Sequence, residues 1–110
     1  MTLAGCALQY AGGGRSGSIE LGLPGPCSLS RDSDGDVRIV EAEHGLVIAV
    51  ESSRPARLPD ERCDTAIRAV VLEGNALRLS ARTQRVAQCL PAVWDELMFH
   101  AFAAETLAVP

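Results

Sequence analysis

The sequence predicts an α+β fold, in which a mainly antiparallel sheet of about five or six strands packs against one C-terminal helix. Three observations support this prediction. Short apolar or alternating segments, separated by turn residues, run from Ser18 to Ala81. Two of these segments flank Gly74-Asn75, which is typical of a β-hairpin. After Pro91, apolar residues recur at the spacing of one helix face.

The first predicted strands come from alternation and turn chemistry. Residues 18–23 alternate and are followed by Pro24-Gly25-Pro26, which predicts a strand that ends there. Segments 27–30, 37–40 and 46–50 predict three more strands, and the continuous apolar run 46–50 indicates burial on both faces. Residues 51–62 contain two prolines and six charged residues, so they predict an exposed loop or a crossover between two halves of the sheet.

The hairpin around Gly74-Asn75 predicts its own register, because the two-residue turn and the apolar pattern agree. Its pairs are Leu72 with Leu77 and Val70 with Leu79 on the inner face, and Val71 with Arg78 and Ala69 with Ser80 on the outer face. We expect the outer positions to tolerate substitution better than the inner ones. Arg78, Arg82 and Arg85 then form a basic stripe, which we interpret as a solvated face partnered by Asp and Glu.

The helix is predicted to begin near Pro91, with Asp95 and Glu96 at its positive N-terminal end. Its apolar stripe contains Val93, Trp94, Leu97, Met98, Ala101 and Phe102, and Phe99 falls off that stripe. Residues 106–110 form a tail without an assigned structure.

Composition limits the classes of function. The net charge of −4 argues against a nucleic-acid partner. A hydrophobic content of 47% is too high for intrinsic disorder. No apolar run approaches the ~20 residues of a membrane span, so any membrane attachment must use a lipid. Four cysteines in 110 residues indicate an oxidising compartment.

Leu3-Ala4-Gly5-Cys6 resembles the lipobox of bacterial lipoproteins. The resemblance implies cleavage before Cys6, a diacylglycerol thioether on its sulfur, and a leader upstream of Met1, so that residues 1–17 are a truncated lipobox and a Gly-rich tether. A single disulfide-stabilised α+β domain then covers 18–105. By the same resemblance, Ala7 after the lipidated residue implies the outer membrane if the source is Gram-negative, on the periplasmic side of the bacterial cell envelope.

The hairpin predicts a disulfide between Cys63 and Cys89, because these residues lie at its two ends, which meet in space. Cys27 then stays free or pairs with an unlipidated Cys6. The sequence leaves these two options open.

Asp32, Asp34 and Asp36, followed by Glu43, resemble a calcium-binding EF-hand loop. Val37 stands where that loop needs glycine, and the flanking residues predict strands. We therefore favour an acidic turn, and we expect no metal ligand, no cofactor and no catalytic residue.

These observations predict a small lipid-anchored envelope protein that acts as a non-catalytic protein-interaction module. It would be an assembly accessory or an inhibitor of an envelope-attacking enzyme, attached to the membrane through Cys6. The alternative is a secreted or periplasmic ligand-binding domain without lipid, for which calcium is one candidate ligand. A small periplasmic hydrolase is the third hypothesis.

Overall fold

The computed structural model describes residues 1–12, 14–55, 62–74 and 76–108, with only the backbone of Arg15. Within these ranges the chain forms nine strands and one helix. In chain order they are β1 (Thr2–Ala4), β2 (Ala7–Gly12), β3 (Arg15–Glu20), β4 (Cys27–Leu29), β5 (Val40–Ala42), β6 (Gly45–Pro55), β7 (Cys63–Glu73), β8 (Ala76–Leu79), β9 (Gln84–Val86) and α1 (Glu96–Leu107).

The strands form two antiparallel sheets. The small sheet has the order β1-β2-β3, and the six-stranded sheet has the order β4-β6-β7-β8, with β5 paired to β6 and β9 paired to β7. One hydrophobic cluster lies between the large sheet and α1, and a second lies between the large sheet and the small one. The predicted α+β class with a C-terminal helix is confirmed.

Strands β6 and β7 form the centre of the molecule because both of their faces are covered. Val47 and Ala49 point into the cluster under α1, whereas Ile48 and Val50 point toward the small sheet. The predicted two-sided burial of segment 46–50 therefore holds for residues 47–50, while Leu46 at its start stays exposed. Apolar residues on both faces are the expected pattern for a strand between two layers.

The prediction of a flexible tether near the N-terminus is wrong. β2 and β3 form a hairpin in which Ala7 pairs with Glu20 and Gly12 with Arg15. Consequently the boundary placed after residue 17 would cut through a strand. The Tyr10 ring also crosses Gly17, where an added Cβ would lie 2.5 Å from the tyrosine hydroxyl oxygen. Glycine is needed there for close approach of the ring rather than for flexibility.

The small sheet is attached to the large one by both apolar and polar contacts. Leu8 and Leu21 are fully buried against the large sheet. Arg68 of β7 reaches between the layers, where its Nη1 donates to the Leu21 carbonyl at 2.7 Å and its Nε donates to the Ser80 carbonyl at 2.7 Å. The described residues of the N-terminal segment, 1–12 and 14–21, thus belong to the folded domain, and Leu8 and Leu21 belong to its core.

Three further boundaries differ from the predictions. The loop predicted over 51–62 is strand up to Pro55, and residues 56–61 lie outside the described part of the chain. The helix begins at Glu96 rather than near Pro91, and it ends at Leu107 rather than before 106. Asp95 is its N-cap, with a carboxylate oxygen that accepts the Leu97 amide at 2.9 Å.

The predicted apolar stripe of the helix is right for Phe102 and Met98, which pack into the cluster under α1, and wrong for Leu97 and Ala101. The buried helix residues are Phe99, Phe102, Ala103 and Thr106, whereas Leu97 is 73% exposed and Ala101 is exposed. The observed spacing is that of one helix face. The predicted stripe also included two apolar residues, Val93 and Trp94, that precede the helix.

The hairpin register is confirmed for the pairs Leu72–Leu77, Val70–Leu79 and Val71–Arg78. Its turn residue Asn75 lies outside the described residues. The predicted outer face is wrong, because Val71 and Ala69 are fully buried in the cluster under α1. Ser80 is also buried, and its hydroxyl oxygen accepts the Ala69 amide at 3.1 Å.

The basic stripe on β8 and β9 has acidic partners, as predicted. Arg78 pairs with Glu73, Arg82 with Glu105 and Arg85 with Asp64. These side chains are all partly solvated, so the pairs contribute little to stability.

Candidate functional site

Both disulfides lie at places where a connecting segment joins the large sheet. Cys63 bonds Cys89 with a Cα–Cα distance of 5.0 Å, as predicted, and Cys6 bonds Cys27 with a distance of 5.2 Å. A sulfur atom in a disulfide cannot also form a thioether. The Cys6–Cys27 bond and the predicted lipidation of Cys6 are therefore mutually exclusive.

The Cys63–Cys89 bond fixes the start of the irregular segment 88–94, whose residues Leu90, Ala92 and Trp94 pack against the cluster under α1. Next to it, the Thr65 hydroxyl donates to the Gln88 carbonyl at 2.6 Å. At the other end, Arg38 donates to the Trp94 carbonyl, and its guanidinium lies 4.8 Å from the centre of the Phe99 ring. Both ends of the segment are thus held in place.

A cleft of about 620 Å³, which we call the Glu51 cleft, lies beside this segment. Its walls come from strands β4 and β6, the turn 31–36 and the segment 90–93. The lining residues are Ser28, Leu29, Arg31, Asp32, Ser33, Gly35, Glu51, Leu90, Pro91, Ala92 and Val93.

Glu51 is the buried acid of this cleft, with 5% of its surface exposed. The Trp94 indole Nε1 donates to its carboxylate at 2.6 Å. Among the described residues, no basic side chain lies within ion-pair distance of it. Burial raises the pKa of Glu51, and the hydrogen bond from Trp94 opposes this rise only in part. The cleft can therefore supply a negative charge or, when Glu51 is protonated, a hydrogen-bond donor.

A second concave site, the apolar pocket, lies on the other face of the large sheet beside the small sheet. Its volume is about 300 Å³. Every lining residue is apolar, and they are Met1, Leu29, Val37, Ile39, Leu46, Ile48, Val70, Leu72 and Leu77. Ile39 is 60% exposed and Leu46 is 40% exposed, so aliphatic side chains surround the pocket on the protein surface.

The acidic turn does not have the geometry of a calcium loop. One carboxylate oxygen of Asp32 accepts the backbone amides of Asp34 at 2.9 Å and Asp36 at 3.1 Å, as in an Asx turn. Gly35 has a φ of +87°, which this turn requires. In the described ranges, no three or more His, Cys, Asp or Glu residues are grouped to hold a metal ion. Turn chemistry therefore explains the acidic pattern.

Sequence reasoning missed Glu51 because it treated residues 51–62 as an exposed loop. The available signal was the uninterrupted strand before it: if the strand 46–50 continues, residue 51 stays inside the sheet.

α1 is too short to cross a membrane, and the described part of the chain contains no helix suited to that role.

Comparison with known proteins identified no relative: no family model, no curated protein and no solved structure matches the chain.

Proposed function

We propose that the chain is a non-catalytic protein-interaction domain of an oxidising, extracytoplasmic compartment, and that a partner protein binds at the apolar pocket. The observation that carries this proposal is the exposure of Ile39 and Leu46 beside a pocket lined only by apolar side chains. Burial of apolar surface away from water is favourable by roughly 25 cal/mol per Å². A partner that covers these residues therefore binds more tightly, because the apolar surface is already formed.

The size and surroundings of the pocket favour a protein side chain as the occupant. About 300 Å³ is at the lower end of the range of small-molecule sites, and it suits one aliphatic or aromatic anchor residue. The exposed Glu41 is the register partner of Leu46 at the edge of the pocket, and the whole chain is acidic. We therefore expect basic residues beside the partner's anchor. An assembly accessory and an enzyme inhibitor both need such a surface.

The two disulfides support the compartment, since such bonds persist outside the reducing cytoplasm. The bond between Cys6 and Cys27 favours the alternative in which the domain is secreted or periplasmic and carries no lipid. Mass spectrometry of the N-terminus decides between the two states of Cys6, using protein expressed with its native upstream region in a lipidation-competent bacterium. A diacylglycerol adduct on Cys6 would establish the anchor, whereas a Cys6–Cys27 peptide would exclude it.

In vivo photocrosslinking tests the proposed contact. Ile39 is replaced by a photoreactive phenylalanine, and the exposed Thr83 is replaced in the same way as a matched control. We expect one crosslinked partner from position 39 and none from position 83. Leu46→Glu should then weaken binding of the purified partner at least tenfold, about 1.4 kcal/mol, with an unchanged melting temperature. Equal crosslinking from both positions, or unchanged affinity of the Leu46 variant, would contradict the proposal.

A further inference from the structure

Glu51 follows Val47 and Ala49 on the helix-facing side of β6, whereas Ile48 and Val70 of the apolar pocket face the small sheet. The two linings share Leu29, and the proposed contact at Ile39 and Leu46 does not use the Glu51 cleft. We propose that this cleft is a second binding site, which takes a cationic group, an ammonium or a guanidinium, that pairs with the Glu51 carboxylate.

The first argument is that, among the residues that the structure describes, none supplies a countercharge to Glu51. A buried carboxylate is costly unless it is paired and hydrogen-bonded. Within the described chain, the carboxylates of Asp64, Glu73 and Glu105 each face an arginine. Glu51 is more buried than these residues, yet its partner is a neutral indole N–H. A cationic guest in the cleft supplies the positive charge that no described side chain places beside Glu51.

The second argument is that the carboxylate is held in place before any ligand arrives. Trp94 is buried, and its indole fixes one carboxylate oxygen. Arg38 holds the backbone of Trp94, and the Cys63–Cys89 bond fixes the start of the same segment. A site whose groups are already ordered loses little entropy on binding.

The third argument is the shape and chemistry of the walls. Leu90, Pro91 and Val93 give one side of the cleft an apolar surface, which suits the methylene stem of a lysine or arginine side chain. The other charged residues of the lining are Arg31 and Asp32. Both are hydrogen-bonded within the turn: the Arg31 guanidinium donates to the Gly35 carbonyl at 2.9 Å, and a carboxylate oxygen of Asp32 accepts two backbone amides of the turn. Glu51 is thus the charged group of the lining that is not engaged by the turn.

Two internal processes compete with the guest, and each makes a distinct prediction. Since burial raises the pKa of Glu51, protons compete for the carboxylate, and a cationic guest must lower that pKa when it binds. The groups near this equilibrium are Arg31 and Asp32 from the turn and the Trp94 indole from the segment before α1. If Arg31 turns toward Glu51, it acts as an internal countercharge, and Arg31→Gln should tighten binding of the guest.

The test uses the single tryptophan of the chain, because its indole N–H touches Glu51 and gives one resolved NMR signal. The probes are N-acetyl-arginine amide and N-acetyl-lysine amide for a basic side chain, and n-butylammonium for a free amine. N-acetyl-citrulline amide is the neutral control of nearly the same shape as the arginine probe. The matched variant is Glu51→Gln, which removes the charge and keeps an oxygen that accepts the indole hydrogen bond.

We expect a saturable shift of the Trp94 indole signal with at least one cationic probe. Binding should be at least tenfold weaker for citrulline and for Glu51→Gln, and it should strengthen as the pH rises through the Glu51 titration. Preference for the amino-acid amides over butylammonium would indicate a basic side chain of a protein, and the reverse preference would indicate a free amine.

Equal binding of the arginine and citrulline probes, unchanged binding by Glu51→Gln, or no shift with any cation would overturn the proposal. If the Gln variant does not fold, the pKa of Glu51 is measured instead, by NMR titration of its carboxyl carbon in the native protein with and without the cationic probe. A Glu51 pKa that does not fall in the presence of the probe would also overturn the proposal. Leu46→Glu should leave probe binding unchanged, so failure of this site and failure of the apolar contact are distinguishable.

Discussion

Truncation of Phe99 is the most direct test of how the helix sits on the sheet. Phe99 is fully buried in the cluster beneath α1, and its ring contacts the Arg38 guanidinium. Phe99→Ala should cost about 3–5 kcal/mol through lost burial and the remaining cavity. Leu97→Ala, two residues earlier in the same helix, should cost less than about 0.5 kcal/mol, because Leu97 is 73% exposed. Total stability is typically only ~5–15 kcal/mol, so the difference is easily resolved.

Urea denaturation followed by circular dichroism measures both free energies of unfolding. The midpoints should differ strongly, and the slopes should stay equal if both variants unfold in two states. A large cost for Leu97→Ala with a small cost for Phe99→Ala would place the helix in the orientation that the sequence periodicity predicts. That result would refute the packing described above.

Three further changes have definite expected results. Ser80→Ala should cost about 1–3 kcal/mol in denaturant unfolding, because it leaves the buried Ala69 amide unpaired; a cost near zero would mean that this position is solvated. Burial raises the pKa of folded Glu51 above 4.5, so the contribution of Glu51 to stability is complete below that pH and is lost as the pH rises through the folded pKa. Glu51→Gln should therefore flatten the pH dependence of the melting temperature between pH 4 and 8. An unchanged pH profile would contradict the raised pKa. Replacing both Cys63 and Cys89 by Ser should lower the free energy of unfolding by about 3–4 kcal/mol, as expected for opening a loop with a separation of 26 residues; an unchanged midpoint would rule out this stabilisation.

Features that depend on neighbouring residues could be predicted from the sequence. The pairing of Leu72 with Leu77 follows from a turn and an alternation that lie within ten residues of each other. The Cys63–Cys89 bond follows from the same hairpin, because closing it brings both ends together. In each case a local rule determines the contact.

Features that depend on distant packing could not be predicted in this way. The Gly-rich N-terminal segment has the composition of a linker, yet the large sheet provides a surface on which Leu8 and Leu21 are buried. The sequence predicts the wrong phase for α1 because it counts Trp94 as part of the helix face. Trp94 precedes the helix, and it is buried where its indole donates to Glu51, which lies 43 positions earlier in the chain. The site at Glu51 exists only after these tertiary contacts have formed.

The order of the disulfides along the chain has a consequence for how the protein matures. The first cysteine bonds the second and the third bonds the fourth, so the two covalent loops neither overlap nor enclose one another. A chain that crosses a membrane from its N-terminus exposes Cys6 and Cys27 before Cys63 emerges. An oxidase that joins cysteines in their order of emergence would therefore form the native pairs directly, without an isomerase to rearrange them.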